Sequence, residues 1–318
     1  MSGGAKALIS AAKPGSLTRF CIDYSDSEAA FQIPVIVLKG KTPGKTIWIQ
    51  AALHGDEYDG IPAIMQLSDE LDVDKLTGTV ILVPVLNITA YKAQQNASPI
   101  DNVNLNRVFG SERKDLFSYR YGAFIADLIC ENADYMIDLH GGGQYLDVCR
   151  FVMAAVVPGT AETVEKMAHH CGAERIHVEN GENSSKLIAE LSRRGVPAVL
   201  IENGGGLEAK PQSVEQHKQS VLNILRLLGF VEGQAAENSG TPVTESTDLY
   251  FADGGLMLYG CKVGSLVYKN DVLIRVMRYD LTEYEIRCPV EKGVVLSIHT
   301  AAIVKDGQYA VMIGSEQA

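Results

Sequence analysis

Apolar runs that stop at polar residues organise the first two thirds of the chain. Phe31 to Leu38 and Thr46 to Leu53 read as strands joined by a Gly/Lys/Pro turn at Lys39 to Lys45. Ile61, Ile64, Met65, Leu67 and Leu71 then recur at helical spacing, and the β-branched run Val80 to Val85 reads as a buried strand. Further helices are predicted over Tyr119 to Asn132, Thr160 to Cys171, Ser184 to Arg194 and Val214 to Leu228. Between them lie strands at Ala133 to Leu139, Phe151 to Val157 and Ala198 to Ile201. Such alternation predicts an α/β fold, a mixed and mostly parallel sheet flanked by helices. Residues 1 to 30 are poorly patterned, with a turn at Pro14-Gly15. The polar stretch Asn87 to Gly110 has no clear period, and loops of that length are usually functional or disordered.

The pattern changes near Gly229. Gly233 to Thr244 is small and polar and reads as a linker. Beyond it, short β-patterned segments dominate: Leu249 to Ala252, Leu256 to Tyr259, Val272 to Val276, Tyr284 to Cys288, Val294 to His299 and Ala310 to Ile313. Two units are therefore expected, an α/β unit over residues 1–235 and a small all-β unit over residues 245–318.

Composition narrows the function. Hydrophobic residues are 46% and charged residues 21% of the 318 positions, as in ordinary globular proteins. The net charge of −11 argues against nucleic-acid partners, which require a counterion-releasing basic surface. No run of apolar residues is long enough to span a bilayer, and the segment around Lys6 and Lys13 lacks the apolar core of a signal peptide. The six cysteines show no Cys-x-x-Cys spacing and read as free thiols of a cytoplasmic protein.

The candidate chemistry sits at strand ends. His54 and Glu57 follow the run Thr46 to Leu53, His140 ends the run Ala133 to Leu139, and Glu202 follows Ile201. In open α/β sheets ligands bind beyond the carboxyl ends of strands, so these side chains are placed to converge. Two imidazoles and one carboxylate leave an open fourth position, the ligand set of a catalytic zinc. Glu202 is the candidate general base, Arg107 a planar fork for a substrate carboxylate, and Asp138 an acceptor that would orient a ligand imidazole. Taken singly, each feature is commonplace: a lone His-x-x-Glu is usually not a metal site.

In combination, His54-Gly55-Asp56-Glu57, Asp101-x-x-Asn104-Leu105-Asn106-Arg107, Asp138-Leu139-His140-Gly141 and Ile201-Glu202-Asn203-Gly204 resemble the succinylglutamate desuccinylase/aspartoacylase family of zinc carboxypeptidase-like deacylases. The resemblance spans roughly residues 30 to 230. It implies one zinc per chain on His54, Glu57 and His140, substrate carboxylate binding by Asn106 and Arg107, and Glu202 as catalytic base. It also implies hydrolysis of a small N-acyl amino acid. Many relatives carry an arginine a few residues before the Asp-x-x-Asn-Leu-Asn-Arg string; here Asn96 occupies that region, offering an amide donor without the charge. The C-terminal unit is similar to the barrel-sandwich-like β domain of this group, implying a cap on the cleft or an oligomer interface. Its tyrosines Tyr250, Tyr259 and Tyr268 could reach into the cleft, although core or surface packing is the commoner role for any one of them. A small-peptide carboxypeptidase and a catalytically impaired small-acid binding protein stay open as alternatives.

Overall fold

The computed structural model describes residues 12–237 and 240–316; the expectation for the segment around Lys6 lies outside the described residues, as do two positions of the expected linker. The α/β unit carries β1 (Ser16–Ser25), β2 (Ala30–Lys39), β3 (Thr42–Ala51), β4 (Thr77–Val83), β5 (Tyr135–His140), β6 (Leu146–Val156), β7 (Arg175–Asn180) and β8 (Ala198–Gly204). Interleaved with these are α1 (Gly60–Glu70), α2 (Ile88–Ala93), α3 (Phe117–Asn132), α4 (Ala161–His170), α5 (Leu187–Arg193) and α6 (Pro211–Leu227). The strands lie in the order β1-β2-β4-β3-β5-β8-β6. The central β4, β3, β5 and β8 are parallel, whereas β1, β2 and β6 join antiparallel, so the sheet is mixed as expected.

Near-continuous apolar runs are what a sheet covered on both faces requires. Trp48, Ile81, Met136 and Leu200 pack with α3 and α5 residues such as Tyr121 and Leu191. Their chain neighbours Ile47, Ile49, Val80, Ile137 and Ile201 turn the other way, toward Ile64, Met167 and Ile224 of α1, α4 and α6. The same two-residue alternation carries polar groups onto the α3/α5 face at the strand ends: Gln50 follows Trp48, Asp138 and His140 follow Met136, and Glu202 follows Leu200. Parallel register then sets Gln50 beside Asp138 and His140 beside Glu202.

Several expectations need correction. Residues 16–25 are not unstructured but form the edge strand β1, paired along its length with β2. Its pattern is faint because only Ile22 and Tyr24 of its side chains are buried. The stretch Asn87 to Gly110 is not a bare loop, since it contains α2 and a 3-10 turn at Leu105–Arg107. β6 begins five residues before the expected Phe151, and β7 was not anticipated. The expected linker contains β9 (Thr241–Val243), which pairs in parallel with β7.

The C-terminal strands are β10 (Glu245–Tyr250), β11 (Gly255–Gly260), β12 (Leu266–Tyr268), β13 (Val272–Met277), β14 (Glu283–Arg287), β15 (Lys292–His299), β16 (Ile303–Val304) and β17 (Tyr309–Ser315). They divide between two sheets. β14, β13, β11 and β16 form a separate four-stranded antiparallel sheet, while β15, β17 and β10 extend the main sheet beyond β6. Ser297 to His299 of β15 pair antiparallel with Val148 to Leu146 of β6. The C-terminal unit has its own core around Phe251, Leu273, Ile274 and Val311. Among the described residues no helix is long and apolar enough to cross a membrane, and all six cysteines are free thiols, as expected.

The turn after β3 aims the first two site residues. Ala52 takes a left-handed conformation at φ 52°, and the Leu86 and Asn87 amides donate to the Ala51 and Ala52 carbonyls. The Asn87 side chain then caps α2 through Ala90 N and donates to the Leu53 carbonyl. Gly55 lies against α2 so closely that an added Cβ would stand 1.9 Å from the Ala90 carbonyl carbon. Gly55→Ala is therefore expected to lower unfolding free energy by about 1–3 kcal/mol, as overpacking against fixed backbone does. Denaturant unfolding checks this, and an unchanged midpoint would show that the turn has room to move.

Candidate metal centre and substrate pocket

Turn and strand end bring His54, Glu57 and His140 together, with one ligand atom of each within 4.8 Å of the others and all three side chains buried. His54 Nδ1 is 2.7 Å from Glu57 Oε1 and His140 Nδ1 is 3.0 Å from Oε2. The two rings stand nearly perpendicular, with centroids 4.9 Å apart. The Gly141 amide donates to Glu57 Oε2 at 3.2 Å. Burial alone would raise the Glu57 carboxyl, but the two imidazoles outweigh it and hold it at about 2. Glu57 is thus a permanent buried anion.

Each imidazole is fixed from behind. Asn104 Oδ1 lies 3.0 Å from His54 Nε2, and the same oxygen accepts from the Asn106 amide at 2.8 Å. Asp138 Oδ2 lies 3.1 Å from His140 Nε2. The other Asp138 oxygen accepts from Gln50 Nε2 at 3.1 Å, and Gln50 Oε1 accepts from the Trp48 indole at 2.8 Å. A buried relay thus runs from Trp48 to His140. A carboxylate behind a ligand imidazole sets the tautomer and raises the basicity of the metal-facing nitrogen.

These residues fit a divalent cation. Both His140 ring nitrogens are buried without a well-aligned hydrogen bond, although carboxylate oxygens lie within 3.1 Å. An orphaned ligand nitrogen facing a buried carboxylate and a second imidazole is the arrangement a cation would satisfy. Without one, His140 carries a proton: burial opposes this, but Asp138 and Glu57 prevail and push its imidazole well above the usual range.

The cluster opens into a cavity of about 530 Å³. Glu202 and Arg107 line it, as does Asn96. Burial, reinforced by Glu57 and Asp138 and opposed by His140 and Arg107, raises the Glu202 carboxyl to about 8. Glu202 therefore holds a proton in the cation-free pocket. Arg107 Nη1 donates to the Asn106 carbonyl at 3.0 Å, and among the described residues no carboxylate pairs with its guanidinium. The exposed Asn96 accepts from Asn104 Nδ2 at 2.9 Å, which leaves its own NH2 for a ligand.

Asn106 departs from the expected role. It is buried, it does not line the cavity, and its Oδ1 accepts from the Leu187 amide at 2.9 Å, tying the 3-10 turn to the start of α5. Asp101 is likewise structural, accepting from the Ser118 amide and hydroxyl at the start of α3. Of the expected tyrosines only Tyr250 lines this cavity, beside C-terminal residues that no motif had marked, Asp248, Ser297, His299, Gln308, Tyr309 and Met312. Tyr259 lines a separate cavity.

Residues 43–228 match the succinylglutamate desuccinylase/aspartoacylase catalytic domain. The chain belongs to the succinylglutamate desuccinylase/aspartoacylase family. Within the family it is similar to the N-alpha-acetyl-L-2,4-diaminobutyric acid deacetylase of Halomonas elongata, 29% identical over 284 residues that cover 85% of this chain and 81% of that protein. A product-bound structure of an ectoine utilization protein from Ruegeria pomeroyi has the same fold, with a TM-score of 0.84 at 25% identity over 95% of this chain and 96% of that one. A succinylglutamate desuccinylase/aspartoacylase structure from Rhodobacter sphaeroides aligns at TM-score 0.82 and 23% identity, covering 96% of each chain. The family resemblance and fold class read from the sequence are thereby borne out.

Two consequences can be measured. A cation entering the site must displace the His140 proton, so Zn²⁺ affinity is expected to rise roughly tenfold per pH unit while that proton is present. Calorimetric titration in buffers of different ionisation enthalpy would report the released proton; a pH-independent affinity contradicts the assignment. Replacing Asp138 by Asn should weaken Zn²⁺ binding by about 10–100-fold.

Proposed function

We propose that this family member is a zinc-dependent deacylase that hydrolyses the amide bond of a small N-acyl amino acid. One observation carries the reading: a single cavity joins a buried His-Glu-His cation site, a carboxyl able to hold a proton at Glu202, and a guanidinium at Arg107 that no carboxylate among the described residues pairs. The Halomonas elongata relative is named as a deacetylase of such a substrate, which supports the choice of reaction.

In this reading His54, Glu57 and His140 hold the zinc. Once bound, the ion would supply Lewis acidity toward the amide carbonyl and acidify a water. The chain's own groups do the rest. Arg107 binds the substrate carboxylate through its planar fork and so fixes the amide in the cavity. Glu202 takes a proton from the attacking water as the new C–O bond forms, then gives it to the nitrogen as the C–N bond breaks. Asn96, through its NH2, offers a hydrogen bond where negative charge develops on the carbonyl oxygen. Leu146, Val148 and Phe151 give the cavity an apolar flank, and residues of the adjoining C-terminal strands line it beside them, which suits a small substrate better than a peptide chain.

Glu202 works as a base only when deprotonated, and its carboxyl is raised, so kcat should fall as pH drops through its working pKa. Glu202→Gln is expected to retain stoichiometric zinc while kcat on N-acetyl amino acids drops by about 10²–10⁴-fold. Arg107→Ala should act mainly on KM. Assays of N-acetyl amino acids beside dipeptides, with metal content measured on each variant, check these outcomes. Wild-type turnover by the Gln variant would remove Glu202 from the mechanism.

A further inference from the structure

The cavity is lined by Asp56, Glu57, Glu202 and Asp248, against Arg107 as its one lysine or arginine among the described residues. A single guanidinium suffices for the carboxylate that every N-acyl amino acid carries. A second, side-chain carboxylate would find no further lysine or arginine among the described lining residues, and Asp248 would repel it.

The fourth of these acids is set apart by its position. Asp248 and Tyr250 share one face of β10 by strand alternation, and both line the cavity. The register with β17 shifts after Leu249, so that Asp248 lies opposite Met312 but Tyr250 lies opposite Tyr309. That irregularity turns both Tyr309 and Met312 toward the cavity, which regular alternation three residues apart would forbid. The Tyr309 hydroxyl donates to Asp248 Oδ1 at 3.0 Å and lies 3.3 Å from Ser297 Oγ. The Tyr250 and Tyr309 rings meet edge to face, with centroids 5.5 Å apart. Among the described residues no basic side chain pairs with Asp248. His177 feels its charge, but burial lowers that imidazole and keeps it neutral. One oxygen of this carboxylate is therefore anchored by a hydroxyl, with two electron-rich rings beside it.

We propose that Asp248, framed by Tyr250 and Tyr309, recognises a positively charged group on the substrate side chain, so that the amino acid released is a diamino acid and not an acidic one. The inference rests on the deacylase reading for the kind of ligand, and the carboxylate and ring faces supply the recognition. An ammonium ion gains a charge-assisted hydrogen bond from the first and cation–π attraction from the second. Asp248 is exposed in the open cavity, so solvent screens part of the gain.

Binding of product-type ligands tests this without turnover. Calorimetry on the zinc-loaded protein would compare L-2,4-diaminobutyrate with its neutral counterpart L-2-aminobutyrate, in wild type, Asp248→Asn and Tyr250→Leu. Wild type is expected to favour the diamino ligand by about tenfold. Asp248→Asn, which keeps an acceptor for the Tyr309 hydroxyl, should bring the ratio close to one. Tyr250→Leu should reduce it about threefold and serves as the second variant should the first not fold. Equal wild-type affinities, or a preference that survives Asp248→Asn, overturn the inference. The deacylase reading fails separately, if no N-acetyl amino acid of any side-chain charge is hydrolysed by the zinc-loaded protein.

Discussion

A permanently charged carboxylate buried between two imidazoles is the constraint that the rest of this structure serves. Removing Glu57 from water costs several kcal/mol unless its charge is met by geometry of high quality. Here the compensation comes from three separate places: His54 on the turn after β3, His140 at the end of β5, and the Gly141 amide. The last two help only if the parallel pairing of β3 with β5 is in register, so the site and the centre of the sheet depend on one another. The relay from Trp48 through Gln50 and Asp138 extends that dependence into the core, where a single indole donor fixes a ligand ring three residues removed. Buried polar networks of this kind stabilise only when complete.

The surrounding loops are held with the same economy. Asp59, just beyond Glu57, accepts from the Gly205 and Lys210 amides and so ties the segment after β8 to the start of α1. The Asp101 to Arg107 string divides its labour: Asp101 starts α3, Asn104 steadies His54 at the cavity edge, Asn106 anchors α5, and Arg107 faces the cavity. Most of that motif is scaffold. Its polar residues look like a binding surface in sequence because hydrogen-bonding side chains are also what a turn without regular backbone pairing needs.

That division marks the limit of what the sequence reveals. Strands β3, β5 and β8 are legible because burial on both faces demands unbroken apolar runs, and His54, Glu57, His140 and Glu202 are legible because they stop those runs. The expectation for Asn106 departs from its placement because a side chain's direction depends on a partner, Leu187, that lies far away in sequence. β1 escapes notice because an edge strand needs few buried side chains, and β9 because three residues carry too little pattern. The pairing of β15 with β6, across 150 residues of sequence, leaves no local trace at all. Asp248, Ser297 and Tyr309 belong to the same class: ordinary polar residues in short strands, which become a wall only once that long-range pairing is made.

The same pairing explains how selectivity can be separated from catalysis. Because β15, β17 and β10 continue the sheet that carries His140 and Glu202, the wall they form is held by backbone hydrogen bonds and not by a loose loop. Side chains on rigid elements keep their geometry relative to the reacting groups. Yet Asp248, Tyr250 and Tyr309 share only the cavity with His54 and Glu57; among the described residues none of them is bonded to the buried cluster. On the proposed reading, a substitution on this wall would change which substrate the cavity accepts without disturbing the charge balance around Glu57. A substitution within the relay behind His140 does the reverse. The fold thereby confines its costly buried charges to one side of the cavity and leaves the other side open to variation.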